Sequence, residues 1–77
     1  MKLYLGGHLI WYDPQKRKNI ELQLAGPTLL TDVLKRMNVP RAEAAVCLIN
    51  GEAIFSFDQV FIDDGDKVAI YPAEGGG

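Results

Sequence analysis

A catalytic triad or a metal cluster needs several nucleophilic or ligating side chains together. This sequence has one histidine, His8, and one cysteine, Cys47, with no ligand spacing between them. His8 falls in an apolar stretch and is expected to be an ordinary sheet residue. Cys47 lies inside the apolar run AVCLIN, which points to a small buried hydrophobe rather than a reactive thiol. Asp63, Asp64 and Asp66 crowd the segment DDGD. That run is too short for a calcium loop, and its glycine is what a turn requires, so a solvated turn is expected. The basic cluster Lys16, Arg17 and Lys18 lies between two candidate strands and reads as a solvated loop rather than a phosphate site. No bound metal or cofactor is expected, and no self-sufficient enzyme.

The remaining chemistry is in the segment YPAEGGG. It opens no phosphate-binding loop, because no helix follows it. Glycines are narrow, flexible and free of Cβ atoms. A segment of this kind can thread, extended, through a tight channel into the active site of another protein. The reactive group there is the terminal carboxylate of Gly77, inert until activated. Transfer of AMP from ATP makes it a mixed anhydride, open to a sulfur or nitrogen nucleophile. Catalysis then belongs to the partner and this chain is the carried substrate. The alternative is a frayed terminus without a role.

The preceding elements must position that tail. Residues 2–10 read as a strand interrupted by Gly6-Gly7, paired glycines that signal a bulge or a close backbone approach. Asp13-Pro14 begins a turn. In NIELQLA, Ile20, Leu22 and Leu24 alternate with polar residues, the pattern of a half-buried strand that forms a hairpin with the first. A helix follows in TLLTDVLKRMNV, with Thr28 as expected N-cap and an apolar stripe of Leu30, Val33, Leu34 and Met37. Asn38 and Pro40 end it. RAEAA is a connector with a short helical turn, and AVCLIN is a strand closed by the tight turn Asn50-Gly51. Residues 53–62 look irregular, with one short strand. KVAIYP is the last strand, with Val68 and Ile70 on one face and Ala69 and Tyr71 on the other. The order predicts an α+β fold of β-grasp type: a mixed sheet of about four to five strands packed on one helix, the first and last strands pairing in its middle. Residues 1–72 form a single domain on this reading, and residues 73–77 a flexible tail.

The composition agrees. The chain has 77 residues, 48% apolar and 23% charged, with a net charge of −2. That suffices for one small globular domain. No basic stripe interleaved with aromatics points to nucleic acid, and no segment is long enough to span a bilayer or patterned as a secretory signal. A single cysteine fits a reducing, cytoplasmic setting.

Beyond these patterns, INGE at residues 49–52, DDGDKVAIYPAEGG running from residue 63 into the tail, and the helix after a hairpin resemble the MoaD/ThiS family of ubiquitin-like sulfur carriers. The resemblance covers nearly the whole chain. It implies a ubiquitin-like β-grasp fold and a C-terminal diglycine, matched here by Gly76 and Gly77 with Gly75 extending it. It further implies that an E1-like adenylyltransferase adenylates Gly77 and that the product becomes a thiocarboxylate, with ATP used by that enzyme. The proline at 72 is more similar to the small subunit of molybdopterin synthase than to the thiamin carrier, although Ala73 stands where such subunits often have a second proline. The implied partners are the activating enzyme and a larger catalytic synthase subunit, or alternatively a thiazole synthase. A ubiquitin-like modifier conjugated to lysines, and a plain β-grasp binding module, are the competing expectations. Tyr71, Pro72 and Ala73, just before the last strand gives way to the glycines, are expected to face the partner, and Phe55 and Phe57 are candidates either for an exposed apolar patch or for satellite core under a long loop.

Overall fold

The computed structural model describes residues 1–73. Its elements, in chain order, are β1 (Lys2–Leu5), a 3₁₀ segment (Gly7–Tyr12), β2 (Asn19–Glu21), β3 (Thr28–Leu29) and α1 (Leu30–Arg36). A second 3₁₀ segment (Arg41–Glu43), β4 (Val46–Ile49), β5 (Glu52–Ile54), β6 (Phe61–Ile62) and β7 (Lys67–Tyr71) follow. The main sheet runs β2-β1-β7-β4-β5. β1 and β7 pair in parallel, Leu3 beside Val68 and Leu5 beside Ile70, and the flanking pairs are antiparallel. This is the α+β, β-grasp arrangement expected, with five strands in the mixed sheet.

Period-two alternation sends Leu3, Leu5, Val68 and Ile70 to the side that α1 covers, where they meet Leu30, Val33 and Leu34 in one continuous core. Asn38 stops the helix in a left-handed conformation (φ 61°). The Asn38 N–H donates to Lys35 O (3.0 Å) and the Val39 N–H to Leu34 O (2.9 Å), a Schellman closure. Asn50 and Gly51, both at positive φ (51° and 89°), make the two-residue turn between β4 and β5.

Four local expectations are corrected. The first strand ends at Leu5: the Gly6 N–H makes a last bond to Ile70 O (2.8 Å), and Gly7, at φ 52°, turns the chain out of the ladder. His8 therefore sits on a 3₁₀ segment, not in a sheet. Thr28 is not the N-cap. It pairs with Ile62 in the small β3-β6 sheet, and its hydroxyl donates to Gly26 O (2.9 Å). The helix begins at Leu30, whose N–H is satisfied by Val60 O (2.8 Å) in place of a side-chain cap. Residues 53–62 contribute both the end of an edge strand and β6. Finally, Arg17 is not a free solvated cation but clamps the carboxylate of Asp13.

Candidate functional site

β7 occupies the middle of the sheet, between β1 and β4. Its side chains alternate, and Lys67, Ala69 and Tyr71 point away from the helix. The pairing registers place Tyr4 on one side of Ala69 and Leu48 on the other, with Ala53 beyond Leu48. Ala69 is short, and its larger neighbours leave a shallow cleft of about 540 Å³ on this outer face. Tyr4, Leu48 and Ala69 supply its apolar floor, and Lys2, Lys67 and Glu21 stand at one end.

At the other end the strand gives out. Tyr71 is opposite Val46, and its carbonyl accepts from the Ala45 N–H (2.9 Å). Its ring is tilted against Tyr4, with centroids 5.8 Å apart and planes at 48°. Tyr71 and Pro72 are half-buried and Ala73 is exposed. Gly75, Gly76 and Gly77, the expected chemical end of the chain, lie outside the described residues.

The two phenylalanines part company. Phe55, the residue after β5, is 71% exposed and follows Ile54, the partner of Cys47 and the last paired residue of that edge strand. Phe57 is 1% exposed and belongs to the core, with the Arg41 guanidinium 4.0 Å from its ring centroid. An exposed patch containing Phe57 is therefore corrected. Two positions on in an irregular segment the chain bends back, and the second aromatic ring is spent on filling the core.

A polar group that sequence spacing did not single out lies on the two 3₁₀ segments. Glu43 Oε1 accepts from the Tyr12 hydroxyl (3.1 Å) and lies 3.3 Å from His8 Nε2. The hydrogen bond to that carboxylate, with some burial, raises the Tyr12 phenol above its ordinary range. His8 and Glu43 are 35 residues apart, and no spacing rule would have joined them.

The acids of the last turn are occupied with backbone. Asp66 accepts from the Asp63 N–H (2.8 Å) and from the Asn50 side-chain amide (3.0 Å). Asp64 accepts from the Leu24 N–H (2.8 Å) and lies 3.3 Å from the Met1 ammonium. These bonds hold both carboxyls below the usual carboxylate range. Cys47 is fully buried, and burial pushes its thiol up to about 11. Among the described residues, no three or more His, Cys, Asp or Glu side chains gather as a metal site, and no helix is long and apolar enough to cross a membrane.

No curated protein matches this sequence. A family model does: the one described as Mut7-C ubiquitin aligns with residues 8–75, from the first 3₁₀ segment through the exit of β7. With the five-stranded mixed sheet on a single helix, that match settles the family: the chain is a ubiquitin-like protein and belongs to the Mut7-C ubiquitin family.

Proposed function

We propose that this chain is a sulfur carrier whose C-terminal glycine is activated by an E1-like adenylyltransferase. The observation that carries the reading is the exit of β7: a central strand, paired with β1 as far as Ile70 and with β4 as far as Tyr71, is followed in the sequence, after Pro72, Ala73 and Glu74, by a glycine run. The Gly77 carboxylate attacks the α-phosphorus of ATP and displaces pyrophosphate, all within the partner enzyme. Hydrosulfide then attacks the acyl carbon and displaces AMP, leaving a thiocarboxylate. The chain contributes the carried group and the docking surface, namely Tyr4, Leu48, Ala69, Tyr71, Pro72 and Ala73 with Phe55 at the margin. The acceptor that best fits the resemblance is a larger catalytic subunit of molybdopterin synthase, in a reducing cytoplasm. No cofactor resides on the chain itself.

The test is the mass of the C-terminal peptide after incubation with a candidate activating enzyme, ATP and a sulfur donor. The segment spanning residues 68–77 contains neither methionine nor cysteine, so sulfur oxidation cannot imitate an oxygen-to-sulfur exchange there. The same spectrum reports whether Gly77 ends the mature chain. A sulfur-containing peptide is expected. It should be lost, with the fold retained, when Gly76 and Gly77 are deleted. Adenylation followed only by lysine conjugates would replace this reading with that of a protein modifier, and transfer surviving the deletion would sink it.

A further inference from the structure

We infer that Gly6 and Gly7 are positioning residues for the tail: they form a seat, lacking side chains, that fixes the direction in which the chain leaves β7. The inference takes its purpose from the carrier reading, but its geometry stands apart from it. Gly6 is buried, and its N–H donates to Ile70 O at 2.8 Å. A Cβ added there would lie 2.5 Å from Tyr71 Cδ1, 2.9 Å from Tyr71 Cε1 and 3.3 Å from Ile70 O. The Tyr71 ring thus occupies the space a side chain at position 6 would need. Gly7 does the same for the next residue. Its φ of +52° disfavours a side chain, and a Cβ would lie 2.8 Å from Pro72 Cγ and 3.3 Å from Cδ.

Two consecutive glycines therefore receive the last two residues before exposed Ala73. From the opposite side Tyr71 is held by the Ala45 N–H and by its pairing with Val46, and the Pro72 ring fixes its own φ. A Cβ at Gly26, Gly51 or Gly65 would meet nothing within 4 Å, so the tight fit is particular to positions 6 and 7 among these five. A tail that must enter a narrow channel gains from leaving its domain in one direction, because alignment set before the encounter need not be found during it.

Gly6→Ala and Gly7→Ala in the full chain test the seat, with Gly26→Ala as a control in open space. Residual dipolar couplings of the Tyr71 and Ala73 amides report the direction of the exit. Both variants are expected to melt cooperatively and to change those two couplings while α1 and the β4-β5 hairpin keep wild-type values. Gly26→Ala should change none. Adding Tyr71→Ala to Gly6→Ala removes the obstructing ring, and the Ala73 coupling should then match that of Tyr71→Ala alone. Unchanged Ala73 couplings in a folded Gly6→Ala chain would overturn the inference, as would changes spread evenly over the sheet. If Gly6→Ala does not fold, Tyr71→Ala tests the seat from the other side: an altered Ala73 coupling with an intact sheet is expected, and an unaltered one overturns it. The couplings need no activating enzyme, so a failed seat and a failed carrier reading are told apart.

Discussion

Asp13 has only 1% of its surface exposed, yet it carries a charge. Arg17 makes this tolerable by donating from its backbone N–H (2.8 Å), Nε (3.0 Å) and Nη2 (3.0 Å). The Arg17 side-chain bonds, followed by the backbone bond, lower the carboxyl to about 2. A lowered folded-state pKa stabilises above the unfolded value, near 4, and that contribution is lost as pH falls toward 2. Arg17→Ala should therefore lower the melting temperature at neutral pH, and its difference from wild type should shrink between about pH 4 and 2. A difference that persists unchanged at the acid end would contradict this assignment. The phenylalanines make a sharper contrast. Phe57→Ala should cost about 3–5 kcal/mol of unfolding free energy in denaturant titrations, because it empties a buried site. Phe55→Ala should stay within about 0.5 kcal/mol, its ring being already in water. The composition of residues 53–62 promised apolar contacts. Which ring supplied them was not readable there, since no period governs an irregular segment.

At the scale of elements, helix ends show how far local rules reach. The C-terminus of α1 was legible, because Asn38 tolerates the left-handed conformation and Pro40 cannot continue a helix. Asn38→Ala keeps the helix but forces a Cβ residue into φ 61° without asparagine's tolerance. It should lose roughly 1 kcal/mol in thermal or chemical unfolding, while Asn38→Gly should be near neutral. The N-terminus was not legible. Thr28 is a good cap by type, but pairing with Ile62 commits its backbone to a strand, and a carbonyl from residue 60 takes over the first helical N–H. The glycine pair divides in the same way. Close backbone approach was foreseeable from two glycines in an apolar strand. That the strand ends there, and that the approaching residues are Tyr71 and Pro72, depended on the far end of the chain.

For the whole molecule, the order β2-β1-β7-β4-β5 puts two strands from opposite ends of the chain at the centre. Amide exchange should follow that order, with β1, β7 and β4 most protected and edge strand β5 and the small β3-β6 sheet opening first. Cys47 offers an independent reading of the same opening. Its thiol is buried and pushed up to about 11, so a disulfide reagent near pH 8 should label the native chain at least about a hundredfold more slowly than the unfolded chain. Rapid native labelling would show that β4 is not held as the sheet requires.

Local rules were enough for the fold class, the alternation that turns Val68 and Ile70 inward and Ala69 and Tyr71 outward, the turns at Asn50-Gly51 and residues 63–66, and the stop at Asn38. Each is set by a period or by backbone preference within a few residues, and so is written in the order of the amino acids. Long-range packing made Phe57 core and Phe55 surface and joined Glu43 to Tyr12 and His8, while the clamp of Asp13 by Arg17, only four residues on, turns on how the loop after the first 3₁₀ segment bends. Long-range packing also seated Tyr71 and Pro72 on Gly6 and Gly7 at the root of the tail. Such contacts join residues far apart in the chain, or turn on which way an irregular segment bends, and they exist only once the strands have chosen their neighbours.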